Sequence, residues 1–258
     1  MPPNLKKLKF NKLVIRYLDN WDVLGILETY AADVYRMRHI MPGFVVVDIG
    51  AGIGDFTLNA SRIVGSTGKV ISIEPNKKDF EILIRNIREN RCENVIPLNI
   101  GIGDSEKEVT LCFKNEVFSA KLTTLRLALN GLNVEIPDFV KMDVEGFERD
   151  IIETSLDVIN SSSFVSMELH GDQTPLVSLM KRNGFDYLPL SQKELKNNLL
   201  SFVLRHPIFS MIAYVKIIRM KDYSPRRFIE RIDSGFSIID EGKLSVGLFS
   251  HSDRMDLT

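Results

Sequence analysis

Five short aliphatic runs recur along the chain: FVVVDIG at 44–50, KVISIEP at 69–75, NVIPLNI at 94–100, DFVKMDV at 138–144 and FVSMELH at 164–170. They are continuously apolar instead of alternating, which predicts strands covered on both faces of a parallel sheet. Helical periodicity fills the intervals. In DFEILIRNIREN, Phe80, Leu83, Ile84 and Ile87 form one apolar stripe with charges opposite. FERDIIETSLDVI repeats the pattern through Phe147, Ile151, Ile152, Leu156 and Ile159, and TPLVSLMKRNGF reads as a helix opened by Pro175 and closed by Gly184.

Val45, Val70, Val95, Val140 and Val165 are spaced 25, 25, 45 and 25 residues apart. About 25 residues hold a strand, a crossover helix and two turns. The long interval contains EVTLCF at 108–113, which predicts an added strand. The pattern therefore predicts a doubly wound α/β domain with a mostly parallel, Rossmann-like sheet over about residues 40–190.

Two flanks stand apart. Residues 1–40, with Lys6, Lys7, Lys9, Lys12 and Arg16 and no acid before Asp19, read as a largely helical N-terminal extension. The catalytic domain would then occupy 41–258, interrupted by a mainly helical insertion at about 190–233 beside or over the carboxyl edge of the sheet. That insertion carries nine basic residues against four acidic ones around the apolar stretch PIFSMIAYV, and GFSIIDEGKLSVGLFS at 235–250 reads as a hairpin turning at Glu241-Gly242.

Composition adds little. The chain has 258 residues, 33 basic and 34 acidic, and is 44% hydrophobic, which excludes collagen-like and wholly disordered classes. No run is long and apolar enough for a transmembrane helix, and the basic N-terminus lacks the apolar region of a signal peptide. Cys92 and Cys112 have neither a disulfide framework nor metal-ligand spacing. A reducing, cytoplasmic location and no metal site are the expectations.

The chemistry begins at VVVDIGAGIGDFTL. Glycines 50, 52 and 54 clear the turn between strand and helix so that a ligand can approach the backbone. The spacing departs from a dinucleotide fingerprint: the third glycine comes one residue early, with Asp55 in its place, and Asp48 precedes the turn. Negative charge there disfavours a pyrophosphate and suits a cation. Glu74, 20 residues after Gly54 at the end of the second strand, is placed to accept hydrogen bonds from ribose hydroxyls. A nucleoside with a cationic tail and no phosphate fits this set, and S-adenosylmethionine is such a molecule.

VVDIGAGIGDFTL, ISIEPN, NVIPLNIGIGD, KMDVEGFE and VSMELHG together resemble the FkbM-type S-adenosylmethionine-dependent methyltransferases, within the class I superfamily, over about residues 44–185. The resemblance implies that Asp48, Gly50, Ala51, Gly52 and Gly54 line the methionine end of the cofactor and that Glu74 holds the ribose. It also implies that Asn76 and Asn99, Ile100 and Gly101 lie near the adenosine. Ala51-Gly52 stands where that family often has Ala-Asn. O-methylation of a sugar, glycan or small metabolite is the activity it implies.

At the carboxyl ends of strands four and five stand Lys141, Asp143, Glu145, Glu148, Glu168 and His170. Charges at the end of an apolar strand are costly to bury unpaired and so are candidates for function. His170 is the first candidate for a general base, because an ordinary imidazole titrates near neutrality. Asp143 and Glu145 are candidates to orient it, to replace it as base, or to hold the cofactor's ammonium. Two alternatives stand beside the small-acceptor enzyme. One is an RNA methyltransferase whose basic insertion contacts phosphate and stacks bases on Tyr214, Tyr223 and Phe228. The other is a non-catalytic cofactor-binding or membrane-surface protein that docks PIFSMIAYVKIIRMK on lipid; a homodimer interface and a lid are competing uses of that stretch.

Overall fold

The computed structural model describes residues 5–113, 116–218 and 245–251. Its centre is a seven-stranded sheet built on the aliphatic runs. β1 (Lys6–Phe10) and β2 (Leu13–Tyr17) form a separate hairpin, followed by α1 (Asn20–Leu27) and a π-helical turn, Glu28–Ala32. β3 (Val45–Ile49), α2 (Asp55–Val64), β4 (Lys69–Ile73), α3 (Lys77–Asn90) and β5 (Val95–Leu98) make the first parallel half. A small sheet of β6 (Gly101–Ile102), β7 (Lys107–Phe113) and β8 (Glu116–Thr123) comes next, then α4 (Leu125–Asn130). β9 (Phe139–Met142), α5 (Glu148–Thr154), α6 (Leu156–Ile159) and β10 (Phe164–Leu169) form the second parallel half. α7 (Thr174–Arg182), β11 (Phe185–Pro189), α8 (Gln192–Arg205), α9 (Pro207–Ile218) and β12 (Ser245–His251) complete the described chain.

The strand order is β11-β12-β10-β9-β3-β4-β5. β12 runs antiparallel to both its neighbours, β10 and β11. The chain leaves β3 toward β4 and β5, then returns to place β9 on the other side of β3. That reversal opens a crevice beyond the carboxyl ends of β3 and β9, where doubly wound sheets bind ligands. Both sheet faces are covered: Val46 and Phe139 belong to one core, and Val47, Ile49, Val140 and Met142 to the other.

The extension differs from its helical expectation. Residues 6–17 are a β-hairpin, because Leu8, Phe10, Leu13, Ile15 and Tyr17 alternate inward while Lys7 and Lys9 stay outside. Asn11 and Lys12, both at positive φ (46° and 66°), make the two-residue turn that suits the twist of a hairpin. The outer edge of β2 is not left open: the Asn86 and Asn90 side chains of α3 accept from Arg16 N (2.7 Å) and Val14 N (2.8 Å) and donate back to the same residues' carbonyls.

The helical insertion packs on the extension: α8 and α9 stack there, with the Phe10 ring 5.2 Å from Phe202 and 4.6 Å from Phe209. Arg36, itself buried, grips Glu194 of α8 through two nitrogens (3.0 and 2.9 Å). Partial burial would raise that carboxyl's pKa, but Arg36 and Arg38 outweigh it and hold it down at about 2. FERDIIETSLDVI breaks into α5 and α6 at buried Ser155, whose backbone leaves the helical region. The expected turn at Glu241-Gly242 lies outside the described residues, as do Tyr223 and Phe228; the segment after it is β12, seated between β10 and β11.

Candidate active site

A cavity of about 400 Å³ opens at the switch between β3 and β9. Its floor is the glycine turn. Gly50 and Ala51 both donate to Ile73 O at 3.0 Å, locking the turn to β4. Gly50 has φ +76°, and a Cβ there would stand 1.8 Å from Asp143 O, so only glycine lets the β3 and β9 ends close on each other. A Cβ on Gly52 would meet nothing within 4 Å, leaving its backbone open to a ligand. Gly54 serves elsewhere, capping α2 and packing on Leu83 of α3, away from the cavity wall.

Glu74 faces this floor. Its two oxygens accept from Gly52 N and Asn76 N, each at 2.8 Å, and burial drives its pKa up to about 7 against the pull of those N–H groups. Asn76 lines the same wall and caps α3 through Lys78 N. Gly101 also lines the cavity, but Asn99 and Ile100 do not. Asn99 is exposed and spends its amide on the carbonyls of Glu74 (2.8 Å) and Pro75 (3.2 Å), so it shapes the β4 end from outside.

Beneath the floor lies a charge cluster. Asp48 is fully buried and stands behind the wall instead of on it, which corrects its expected place at the ligand. It accepts from Thr57 Oγ1 (2.6 Å) and pairs with Lys141 Nζ (3.2 Å). Lys141 donates to Gly50 O (2.7 Å) and lies 3.8 Å from Asp143. Burial alone would lower the lysine's pKa; Asp48, Asp143 and Asp55 outweigh it and raise it, so the ammonium stays charged. Asp143 does reach the cavity and accepts from Tyr35 OH at 2.8 Å, and burial followed by the Asp143 charge keeps that phenol protonated.

The strand-five candidate is corrected. His170 lies off the main cavity, in a smaller pocket with Leu169 and Pro175. Its Nδ1 meets Glu148 Oε1 at 2.7 Å and its Nε2 meets Glu145 Oε2 at 3.3 Å. Burial lowers its pKa, but hydrogen bonds to Glu145 and Glu148 more than compensate and push it up to about 10. Both ring nitrogens of His170 are thus engaged by glutamates, and the residue is not among those lining the main cavity. Glu145, which does line the cavity, is held at φ +53°, a region rarely used by residues with a Cβ.

Sequence reasoning missed the other walls. Leu111 and Phe118, paired across the β7–β8 hairpin, overhang the cavity, and Trp21, Thr29 and Tyr35 close it from the extension. The hydroxyl of Thr29 donates to Asp55, tying the extension to the start of α2. Trp21 and Phe147 expose 43% and 47% of their surface at the rim. Among the described cavity residues seven are acidic (Asp22, Glu28, Asp55, Glu74, Asp79, Asp143 and Glu145), and Lys141 alone is basic.

Sheet order and cavity define a Rossmann-like, doubly wound fold with its crevice at the topological switch, and S-adenosylmethionine, which the sequence motifs imply, is the molecule to fit there. The residues fit that molecule: a glycine floor open at Gly52, a carboxyl at the β4 end for a ribose, and an excess of acid for a sulfonium. Residues 30–123 match the family model described as the TRM5/TYW2 methyltransferase domain. The chain is 27% identical to the hexuronic acid methyltransferase AglP of Haloferax volcanii over 51% of its own length and 58% of that protein's. It is also 27% identical to a probable cobalt-precorrin-6B C(15)-methyltransferase of Saccharolobus solfataricus, over 70% and 83%. In structure it is similar to the M. jannaschii tRNA m1G37 methyltransferase (TM-score 0.49, 17% identity, 96% of this chain and 56% of that one).

Proposed function

We propose that the enzyme methylates a hydroxyl of a sugar, glycan or small metabolite that carries no phosphate. One observation carries this reading: seven acidic residues line the cavity, and among its described lining residues Lys141 alone is basic. Such a mouth attracts a sulfonium and repels a phosphate-rich acceptor. Two part-exposed aromatic rings, Trp21 and Phe147, offer flat apolar surface for a sugar ring at the rim. The resemblance of EPN and KMDVEGFE to FkbM-type enzymes, and the hexuronic acid methyltransferase among the relatives, support the same acceptor class.

S-adenosylmethionine, when bound, supplies an electrophilic methyl group on a sulfonium. Glu74 and Asn76 would hold its ribose side, and the Gly50–Gly52 backbone with Asp143 its amino-acid end. Lys141 neutralises Asp48 behind the turn and so fixes the floor. Glu145, steadied by His170, is assigned to receive the acceptor's proton; a positioned base is worth about 10²–10⁴ in rate.

A second reading, an RNA acceptor, is favoured by the match of residues 30–123 to the TRM5/TYW2 domain and by exposed Lys7, Lys9 and Lys12 on the hairpin. Incubation with methyl-labelled S-adenosylmethionine and parallel panels of neutral saccharides, uronic acids and transcribed tRNA separates the two. Label in an O-methyl group of a saccharide supports the proposal. Label confined to RNA overturns it.

A further inference from the structure

Helices α8 and α9 turn very little of their apolar surface inward. α8 buries Leu195 and Phe202, and α9 buries Phe209 and Ala213, all against the extension. On the opposite side Leu200, Val203, Leu204, Ile208, Met211 and Tyr214 are exposed by 47–73%. Seven of the twelve large hydrophobic side chains exposed among the described residues fall between 200 and 214. A patch of this kind marks an interaction surface.

Charge selects the occupant. Lys193, Lys196 and Arg205 are exposed on α8, and the only acid in either helix, Glu194, is turned inward onto Arg36 and Arg38. A second copy docked on this face would bring like charges together, whereas an anionic bilayer is complementary to both its apolar and its basic parts. Among the described residues no single helix is long and apolar enough to cross a membrane, and α8 and α9, which together have the length and apolar composition of a span, are bent by 113° at their junction, a shape that can lie in the interface.

We propose that the α8–α9 face docks this enzyme on an anionic lipid surface. The inner side of α9 meets the extension that walls the cavity: Asn20 Nδ2 donates to Lys216 O at 3.1 Å, and the next residue, Trp21, is cavity wall. The inference stands on the face itself and not on the identity of the acceptor.

The test is co-sedimentation of the full chain with vesicles of phosphatidylcholine alone and of phosphatidylcholine mixed with phosphatidylglycerol, alongside two variants. These are the triple change Leu204→Glu, Ile208→Glu, Met211→Glu and the single change Arg205→Glu. Partition of the wild type onto the anionic vesicles at least about fivefold above the neutral ones is expected. The triple variant should lose it and Arg205→Glu should weaken it, with thermal midpoint and S-adenosylmethionine affinity unchanged in both. Absence of partition at low salt overturns the proposal, as does equal partition by the triple variant. A wild-type dimer that the triple change dissociates would assign the face to a second copy. A fall in thermal midpoint without any vesicle binding would assign it to this chain's own packing; either result also rejects the lipid.

Discussion

Lys141 and Glu74 show how two buried ionisable groups can have opposite fates beside one glycine turn. Lys141 stays charged because Asp48 lies 3.2 Å away and Gly50 O accepts from it. Removing the lysine strands a fully buried carboxylate, so Lys141→Met should cost about 3–5 kcal/mol in urea unfolding. Adding Asp48→Asn should restore at least half of that loss. Glu74 makes no ion pair among the described residues, and burial raises its pKa from 4.5 to about 7 against the pull of two N–H groups and the Lys141 charge. A carboxyl with a raised folded pKa makes the free protein lose stability as pH rises from its unfolded range through about 7. Wild type should therefore weaken relative to Glu74→Gln across that interval. Affinity for S-adenosylmethionine should move the other way, rising through pH 7 as Glu74 becomes a carboxylate able to accept from hydroxyls. Glu74→Gln should flatten that rise. The glutamate's place was legible from its spacing after Gly54, and the clamp on His170 was not. The Glu148 that claims its ring is 22 residues away in sequence and reaches it only because α5 starts beside the end of β10.

At the scale of elements, the parallel strands were legible because burial on both faces makes them runs of branched aliphatics, broken only by a few buried polar residues such as Asp48, Ser72 and Lys141. Val46, Val47, Val70, Ile71, Val140 and Val165 are all fully covered. The β1–β2 hairpin was not legible because its two strands are only five residues each, too short for the period-two burial of Leu8 and Phe10 to stand out among the exposed Lys6, Lys7 and Lys9. The cavity roof escaped for a different reason. β7 and β8 are largely exposed on one face, with exposed and part-buried residues alternating along β7, and only tertiary placement shows that Leu111 and Phe118 overhang the turn. That roof makes its own prediction. Phe118→Ser should weaken S-adenosylmethionine binding by about tenfold, the equivalent of ~1.4 kcal/mol. Its thermal midpoint should stay within about 2 °C of wild type, since the side chain is only part-buried in a peripheral sheet.

Across the whole molecule, the extension, the sheet and the α8–α9 pair act as one support for the cavity. Thr29 and Tyr35 of the extension bind Asp55 and Asp143 of the sheet domain, while Arg36 and Arg38 anchor α8 through Glu194. The extension is therefore part of the active-site wall and not an appendage. Truncating residues 1–40 should abolish cofactor binding along with folding of the remaining domain, read by circular dichroism and calorimetry together. The most direct measurement is isothermal titration of the full chain with S-adenosylmethionine and with S-adenosylhomocysteine. One molecule of either should bind per chain, with Glu74→Ala severely weakened while still folded. Folded wild-type protein that gives no heat with both compounds, or a Glu74→Ala variant that binds as tightly as wild type, would contradict the assignment of this cavity.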